Sequence, residues 1–163
     1  MRLRLAVITL LTLAKLCGSF YDHLKGFDEG TIASSLEKRD PASWQLKSWV
    51  IGVVHGTTAK AYDWNTLLRQ QMIQDSLNGL PVLLFVEKDS RSFHVLNRTI
   101  DQQTLQFAYA NEKLTDRNTQ SLWNENGVCI EGTFKGRQLQ PVQASQEFWH
   151  SWQTFHPATL QYK

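Results

Sequence analysis

The stretch TDRNTQSLWNENGVCIEGTFKGRQL, from Thr115 to Leu139, decides the fold class. Its short extended pieces are separated by Asn126-Gly127 and Lys135-Gly136, which are typical turn steps. Consecutive strands joined by tight turns pair with each other in antiparallel fashion. The stretch therefore predicts an antiparallel meander.

Two hairpins are predicted upstream of this meander. The segment WVIGVVHG, Trp49 to Gly56, is β-branched and ends in glycine, and the six residues after it can return as a second strand. The arms Val82 to Glu87 and Ser92 to Ile100 flank the turn-forming step Asp89-Ser90. Strands are thus expected along most of the chain after residue 44.

Two helices are predicted to accompany the strands. Residues 64–74 place apolar side chains on one face, and Asp63 precedes them as a candidate N-cap. Residues 146–155 carry an apolar stripe that ends at Phe155, with Ser145 as the expected cap. The predicted fold class is α+β: a mainly antiparallel β-sheet with a short middle helix and a Trp-rich C-terminal helix.

The N-terminus has the charge pattern of a secretory signal. Arg2 and Arg4 precede the apolar run Leu5 to Ala14, so residues 1–19 are predicted to be a signal peptide or an N-terminal anchor. An amphipathic or buried first helix is the alternative. Residues 20–43 are expected to form an irregular lead-in, and 44–163 a single β-rich domain. Export implies an extracytoplasmic location, periplasmic or membrane-tethered.

Composition limits the classes of partner and cofactor. Charged residues make up 20% of the 163-residue chain and the net charge is only +2, so no basic field favours nucleic acid. With Cys17 lost in a cleaved signal, Cys129 has no partner thiol, and it stands between apolar residues like a buried hydrophobe. The five histidines show no i, i+4 pair. We expect neither a metal nor another cofactor.

Three segments of the chain together resemble a known bacterial family. They are VIGVVHGTTAKAYDWNTLLRQQMIQDSLNGLPVLLF, LTDRNTQSLWNENGVCIEGTFKGRQLQPV and FWHSWQTFHPAT. The first contains an Ala-Tyr step followed by Asp and then Gly-x-Pro, the second has Asp, Thr and Ser ahead of Leu-Trp, and the third is a Trp-rich segment closing on His-Pro. This pattern is similar to that of the domain of unknown function 3179 family. The resemblance covers residues 49–160 and implies an exported or membrane-tethered protein with no established activity.

The chain departs from that family at two positions. Many members place a His-Glu pair and a Cys-Pro-Leu-Cys step there, a combination that suggests a metal or thiol site. Here Gln70 and Gln71 replace the first, and residues 86–89 (Val-Glu-Lys-Asp) replace the second. Any activity that needs imidazole or thiolate ligands at those positions is therefore in doubt for this chain.

The polar residues shared with the family are Asp75, Asp116, Thr119 and Ser121, and the candidates for chemistry among them are Asp75, Asp116 and Ser121. A structural interpretation makes Asp116 part of an Asx-turn that positions the strand carrying Trp123. Ser121 has neither a nucleophile elbow around it nor a histidine placed as its base. The charge of Lys60 is assigned to a solvated rim. The candidates for binding are Tyr62, Trp123 and His156.

Two functional hypotheses of different classes remain open. The first is a non-catalytic module that binds a protein or a membrane-bound complex through its aromatic C-terminal surface, where Trp123 is expected to pack near the final helix. The second is an enzyme in which Asp75 and Asp116 converge and perform acid/base chemistry on a small extracytoplasmic substrate. Convergence of the two carboxylates is the observation that separates these hypotheses.

Overall fold

The computed structural model describes residues 39–163. In this part of the chain the sheets are mainly antiparallel, and two short helices accompany them, as the sequence predicts. The elements in chain order are β1 Trp49–His55, β2 Thr58–Asp63, α1 Trp64–Gln70, β3 Met72–Leu77, β4 Leu80–Val86, β5 Phe93–Asn97, β6 Thr99–Ile100, β7 Gln103–Thr104, β8 Phe107–Ala110, β9 Lys113–Asp116, β10 Leu122–Trp123, β11 Cys129–Glu131, β12 Ala144–Phe148, α2 Trp149–Phe155 and β13 Leu160–Gln161.

The strands form four sheets with short connections. Their orders are β12-β1-β2-β13, β11-β10-β9-β8, β3-β4-β5 and β6-β7. The predicted hairpins are confirmed as β1–β2 and β4–β5. The first two pieces of the predicted meander pair as β10 and β11, but the piece after Gly136 forms only isolated bridges, and the third strand of the meander is β9, which precedes β10. Among the described strands, only β13 pairs in parallel, and its partner is β2. Strand β12, from the C-terminal part of the chain, pairs with β1 on the other side of the β1–β2 hairpin.

The middle helix is shorter than predicted. The side chain of Asp63 accepts a hydrogen bond from the Thr66 N–H at 2.8 Å, so the predicted cap is confirmed. The helix then ends at Gln70, because Gln71 adopts a left-handed conformation at φ +60°. From Met72 onward the chain is strand β3, paired with β4. The prediction of helix over 64–74 is wrong in its last turn, since pairing with β4 outweighs the apolar spacing.

The C-terminal helix begins later than predicted. The expected cap Ser145 lies inside β12, which extends to Phe148 and pairs along its whole length with β1. The helix starts at Trp149 without any side-chain cap, so the prediction of a helix from 146 is wrong at its start. Phe155, expected on the buried stripe, is 74% exposed. The need of β1 for a second partner strand explains the difference.

The buried side chains form three clusters. The first lies between β1, β2, α1, β3, β4 and β5, and it includes Tyr62 and Trp64. The second contains Trp123 with Phe107 and Cys129, and the third contains Trp149 and Trp152. Trp123 and the helix tryptophans thus belong to different clusters. The predicted packing of Trp123 near the final helix is wrong, because β10 joins the β8–β11 sheet while α2 packs on β1 and β2.

The predicted signal peptide or anchor over 1–19 and residues 20–38 of the predicted lead-in lie outside the described residues. The remaining lead-in residues contact the start of α1: Ser43 Oγ donates to Asp63 Oδ2 at 2.8 Å, and Asn65 Nδ2 donates to the Pro41 carbonyl at 2.9 Å. In residues 39–163, no helix has the length and apolar character needed to cross a membrane.

Candidate functional site

The predicted site residues fall in three separate places. Asp116, Ser121 and Trp123 share one hydrogen-bonded loop between β9 and β10. Asp75 and Tyr62 meet between β3 and β2. His156 lies just after α2, beside Trp152.

Asp116 organises the first place as a buried hydrogen-bond acceptor. Its side chain is fully buried, and Oδ1 accepts from the Thr119 N–H at 2.6 Å. Oδ2 accepts from the Ser121 N–H at 3.2 Å and from the Trp123 indole N–H at 2.9 Å. The Asx-turn interpretation is confirmed. The carboxylate satisfies backbone donors where the chain reverses and fixes the indole of Trp123.

Ser121 and Cys129 are buried beside this carboxylate. Ser121 is fully buried, and its Oγ lies 2.6 Å from Thr119 Oγ1. Gly132 packs so closely that a Cβ there would lie 2.6 Å from Ser121 Oγ, and its φ of +101° also favours glycine. The Cys129 thiol donates to the Glu131 carbonyl at 3.2 Å, and burial raises its pKa. Neither side chain has the exposure that a nucleophile requires.

Asp75 belongs to a second group on the other sheets. Tyr62 Oη donates to Asp75 Oδ2 at 3.0 Å, and Lys60 Nζ lies 2.5 Å from the same oxygen. Burial raises the pKa of Asp75, but hydrogen bonds from Lys60, the Ser76 N–H and Tyr62 together lower it more, so its pKa lies below the usual value. Burial, with the Asp75 charge second, raises the pKa of Tyr62. The group is an ion pair joined to a neutral tyrosine.

The assignment of Lys60 to a solvated rim is wrong. Its side chain is only 15% exposed, and its ammonium lies 5.8 Å from the ring of Tyr62 and 5.6 Å from that of Tyr162. The signal was present in the sequence, because Lys60 and Tyr62 are two residues apart on one strand and therefore share a face. Tyr162 was not identified, because its contact depends on the pairing of β13 with β2.

The two candidate carboxylates do not form one acid/base pair. Asp75 bonds to Lys60 and Tyr62, whereas Asp116 bonds to residues of its own loop. Between them lie Gln74 and Arg98, whose side chains are occupied by backbone groups: Gln74 pairs with both the N–H and the carbonyl of Phe107, and Arg98 donates to carbonyls that include Asp75 O at 3.1 Å. The two carboxylates share no hydrogen-bond partner within residues 39–163.

The positions where the chain departs from the family lie next to each other. Gln71 follows α1, and its carbonyl accepts from the Val86 N–H at 3.1 Å at the end of β4. Nearby, His94 Nε2 lies 2.6 Å from Glu87 Oε1. Across the described part of the chain, no group of three or more His, Cys, Asp or Glu side chains is placed to hold a metal ion.

A cleft of about 270 Å³ adjoins His156. Gly52 and Val54 of β1 line this cleft together with Trp152. Trp152 packs so closely on Gly52 that a Cβ at this position would overlap its six-membered ring. The His156 ring lies 4.0 Å from that of Trp152, and Glu147 lines the far side while accepting from Ser145 Oγ at 2.8 Å. Trp152 is only 3% exposed, so the cleft offers little aromatic surface.

A larger cleft of about 430 Å³ opens in front of Trp123, and we call it the Trp123 cleft. Trp123 lines it at 2% exposure, and the more accessible apolar walls are Tyr109, Leu122 and Ile130, of which Ile130 is 42% exposed. Polar side chains from the β8–β9 turn and from residues 124–126 complete the wall. The volume falls within the roughly 300–1,000 Å³ of small-molecule sites.

Comparison with known proteins identifies the family and nothing more specific. Searches of curated proteins and of solved structures found no match to the chain. The family model described as a protein of unknown function (DUF3179) matches residues 20–159, which is most of the chain and includes all three places described above. The chain therefore belongs to the DUF3179 family.

Proposed function

We propose that this chain is an exported, non-catalytic binding module of bacteria whose ligand occupies the Trp123 cleft. The observation that carries the proposal is a contrast between two neighbouring parts of the β8–β11 sheet. The polar groups suited to chemistry, Asp116 and Ser121, are buried and engaged in intramolecular hydrogen bonds. The neighbouring β8–β9 turn, β10 and the residues that follow β10 present accessible apolar and polar side chains around a concave surface.

The separation of the carboxylates supports binding over catalysis. The acid/base hypothesis built on Asp75 and Asp116 requires that both carboxylates reach one substrate. Asp75 and Asp116 bond to different groups, and neither lines either of the two clefts described above. The acid/base hypothesis would need a rearrangement that brings them together.

Export and tethering rest on the N-terminal sequence. Arg2 and Arg4 ahead of the apolar run favour a signal or an anchor, which would place the module outside the cytoplasm and near membrane-bound partners. Fractionation of cells that express the full chain tests this, because a cytoplasmic protein of unprocessed mass would contradict it. Elemental analysis of chelator-free protein tests the expectation that no metal or other inorganic cofactor is bound.

The binding site is tested by filling the cleft. Ile130→Arg places a long charged side chain in the Trp123 cleft at an exposed strand position. Val54→Arg makes the matched change in the other cleft, since Val54 is 45% exposed and Ile130 42%. The tagged proteins are incubated with a cell-envelope extract, and the retained molecules are identified by mass spectrometry.

We expect wild type and Val54→Arg to retain the same molecules and Ile130→Arg to lose them. Circular dichroism of all three proteins confirms that folding is unchanged. Loss in Val54→Arg alone would move the binding site to the His156 cleft, and retention of nothing by wild type would overturn the proposal. Turnover of a retained molecule that stops in Asp75→Asn would instead support the acid/base alternative.

A further inference from the structure

We infer that the Trp123 cleft takes a neutral, polyhydroxylated ring compound, that is, a saccharide. The inference rests on the proposed function and adds the chemical class of the ligand. Three features of the cleft support it: a rigid apolar floor, planar polar groups at its edge, and balanced charge.

The floor of the cleft is rigid and apolar. Tyr109 packs edge-on against Phe85 with 4.9 Å between ring centroids. Trp123 is held by its bond to Asp116 and by an edge contact with Phe107 at 5.7 Å. Because the Tyr109 ring is already fixed, binding an apolar face of a ligand on it has little ordering cost in the protein.

The edge of the cleft carries planar hydrogen-bonding groups of both kinds. Asn124 Oδ1 accepts from the Val128 N–H at 2.9 Å, which fixes the side chain and leaves its amide N–H groups as donors. Glu125 is half-buried in the cleft wall, and within the described chain its carboxylate accepts no hydrogen bond. A donor and an acceptor that adjoin an apolar floor match the hydroxyls around the edge of a sugar ring.

The charges around the cleft balance. Two carboxylates, Glu112 and Glu125, line the wall together with the ammonium of Lys113. The second ammonium, Lys88, bonds to Glu112 at 2.7 Å. Because Lys88 pairs with Glu112, the remaining lining charges are one carboxylate, Glu125, and one ammonium, Lys113, so the charges favour neither a cation nor an anion. Amines, phosphates and nucleic acids are therefore disfavoured relative to a neutral ligand.

Defined probes test this class. Chitotriose and maltotriose are neutral saccharides, spermidine is a cation and trigalacturonate is an anionic saccharide. Binding is measured by calorimetry and by amide chemical-shift changes at residues 124–130. We expect at least one neutral saccharide to bind, with shifts in this segment, and neither charged probe to bind more tightly.

Two variants locate the contacts. Tyr109→Ala removes an accessible ring of the floor and is expected to weaken saccharide binding about tenfold, which corresponds to about 1.4 kcal/mol. Phe155→Ala is the matched control, because Phe155 is an exposed aromatic residue outside the cleft, and it should change nothing. Glu125→Gln keeps an acceptor but removes the charge, so it should change saccharide binding by less than about threefold.

The inference is overturned if neither neutral saccharide binds, if Ile130→Arg binds them as well as wild type, or if spermidine binds and Glu125→Gln abolishes that binding. Its failure is distinguishable from failure of the proposed function. Loss of retained molecules in Ile130→Arg together with no saccharide binding rejects only the ligand class. If wild type retains no molecules and binds no saccharide, the binding module itself is rejected.

Discussion

Two tryptophan-containing regions of this protein are stabilised in different ways. In the loop between β9 and β10, the buried carboxylate of Asp116 accepts the indole N–H of Trp123 together with backbone donors. In the C-terminal region, Trp152 lies directly on Gly52, and its indole N–H donates to Thr159 Oγ1 at 2.8 Å. The first region depends on satisfying a buried charge, and the second on close packing against a residue without a side chain.

The difference concerns which substitutions each region tolerates. A buried charge leaves unsatisfied groups when any partner is removed, so polar changes are costly in the Trp123 region. A ring packed directly on a glycine leaves no room for added volume, so increases in size are costly in the Trp152 region.

The largest effect is expected for Trp123→Ala. The side chain is 2% exposed in the second cluster, and truncation of a buried tryptophan costs about 3–5 kcal/mol of unfolding free energy. Urea denaturation measures the change. Wild-type stability in this variant would show that Trp123 is not a structural residue, and the contrast between the two regions would fail.

Asp116→Asn tests the role of charge in the first region. Both carboxylate oxygens accept from N–H donors, so an amide must turn its own NH₂ toward one of these donors whichever way it is oriented. We expect a loss of about 1.5–3 kcal/mol in urea denaturation. The control Asp101→Asn alters an exposed ion pair with Arg137 and should cost little. Equal costs would show that burial of the charge is unimportant.

Gly52→Ala tests packing in the second region. The added methyl group overlaps the Trp152 ring, and overpacking of this kind costs about 1–3 kcal/mol. In the Trp152→Ala background the ring is absent, so the same substitution should cost much less. A double-mutant cycle measures this coupling, and additive costs would rule out direct contact as the cause.

The smallest effect concerns pH. The pKa of Asp75 is lower in the folded protein than its usual value, so its charge stabilises the fold above about pH 4, and this contribution is lost as the pH falls through the folded-state pKa. At pH 7, Asp75→Asn should be less stable than wild type by about 1 kcal/mol or less, and the gap should close toward pH 3. If the stability difference between wild type and Asp75→Asn grew as the pH fell, the pKa of Asp75 would be raised in the folded protein rather than lowered.

The sequence predicted local elements better than their ends. Asp63 and the turn steps were readable because each acts through its own neighbours. Residues 146–148 were assigned to a helix, yet they form the end of β12, because β1 lies about a hundred residues earlier and its demand for a partner is invisible in a local window. Residues 72–74 were assigned to a helix for another reason: their apolar spacing suggested one, although β3 pairs with β4 directly across the turn at residues 78–79.

The candidate site was predicted only as far as its local contacts. The turn formed by Asp116 and Thr119 follows from a spacing of three residues. The Trp123 cleft does not follow, because it combines Phe85 of one sheet with Tyr109 and Ile130 of another. The ion pair of Lys60 was not predicted, because its partner Asp75 lies on β3, and the sequence led us to assign the start of this strand to a helix.

The side chain of Gln74 has a consequence for self-association. Its amide donates to the Phe107 carbonyl at 3.0 Å and accepts from the Phe107 N–H at 2.7 Å, so it occupies the outer edge of β8 as a neighbouring strand would. Open strand edges are templates on which other chains add and aggregate. A single glutamine thus covers part of this edge, and a chain that adds to β8 there must first displace the Gln74 amide.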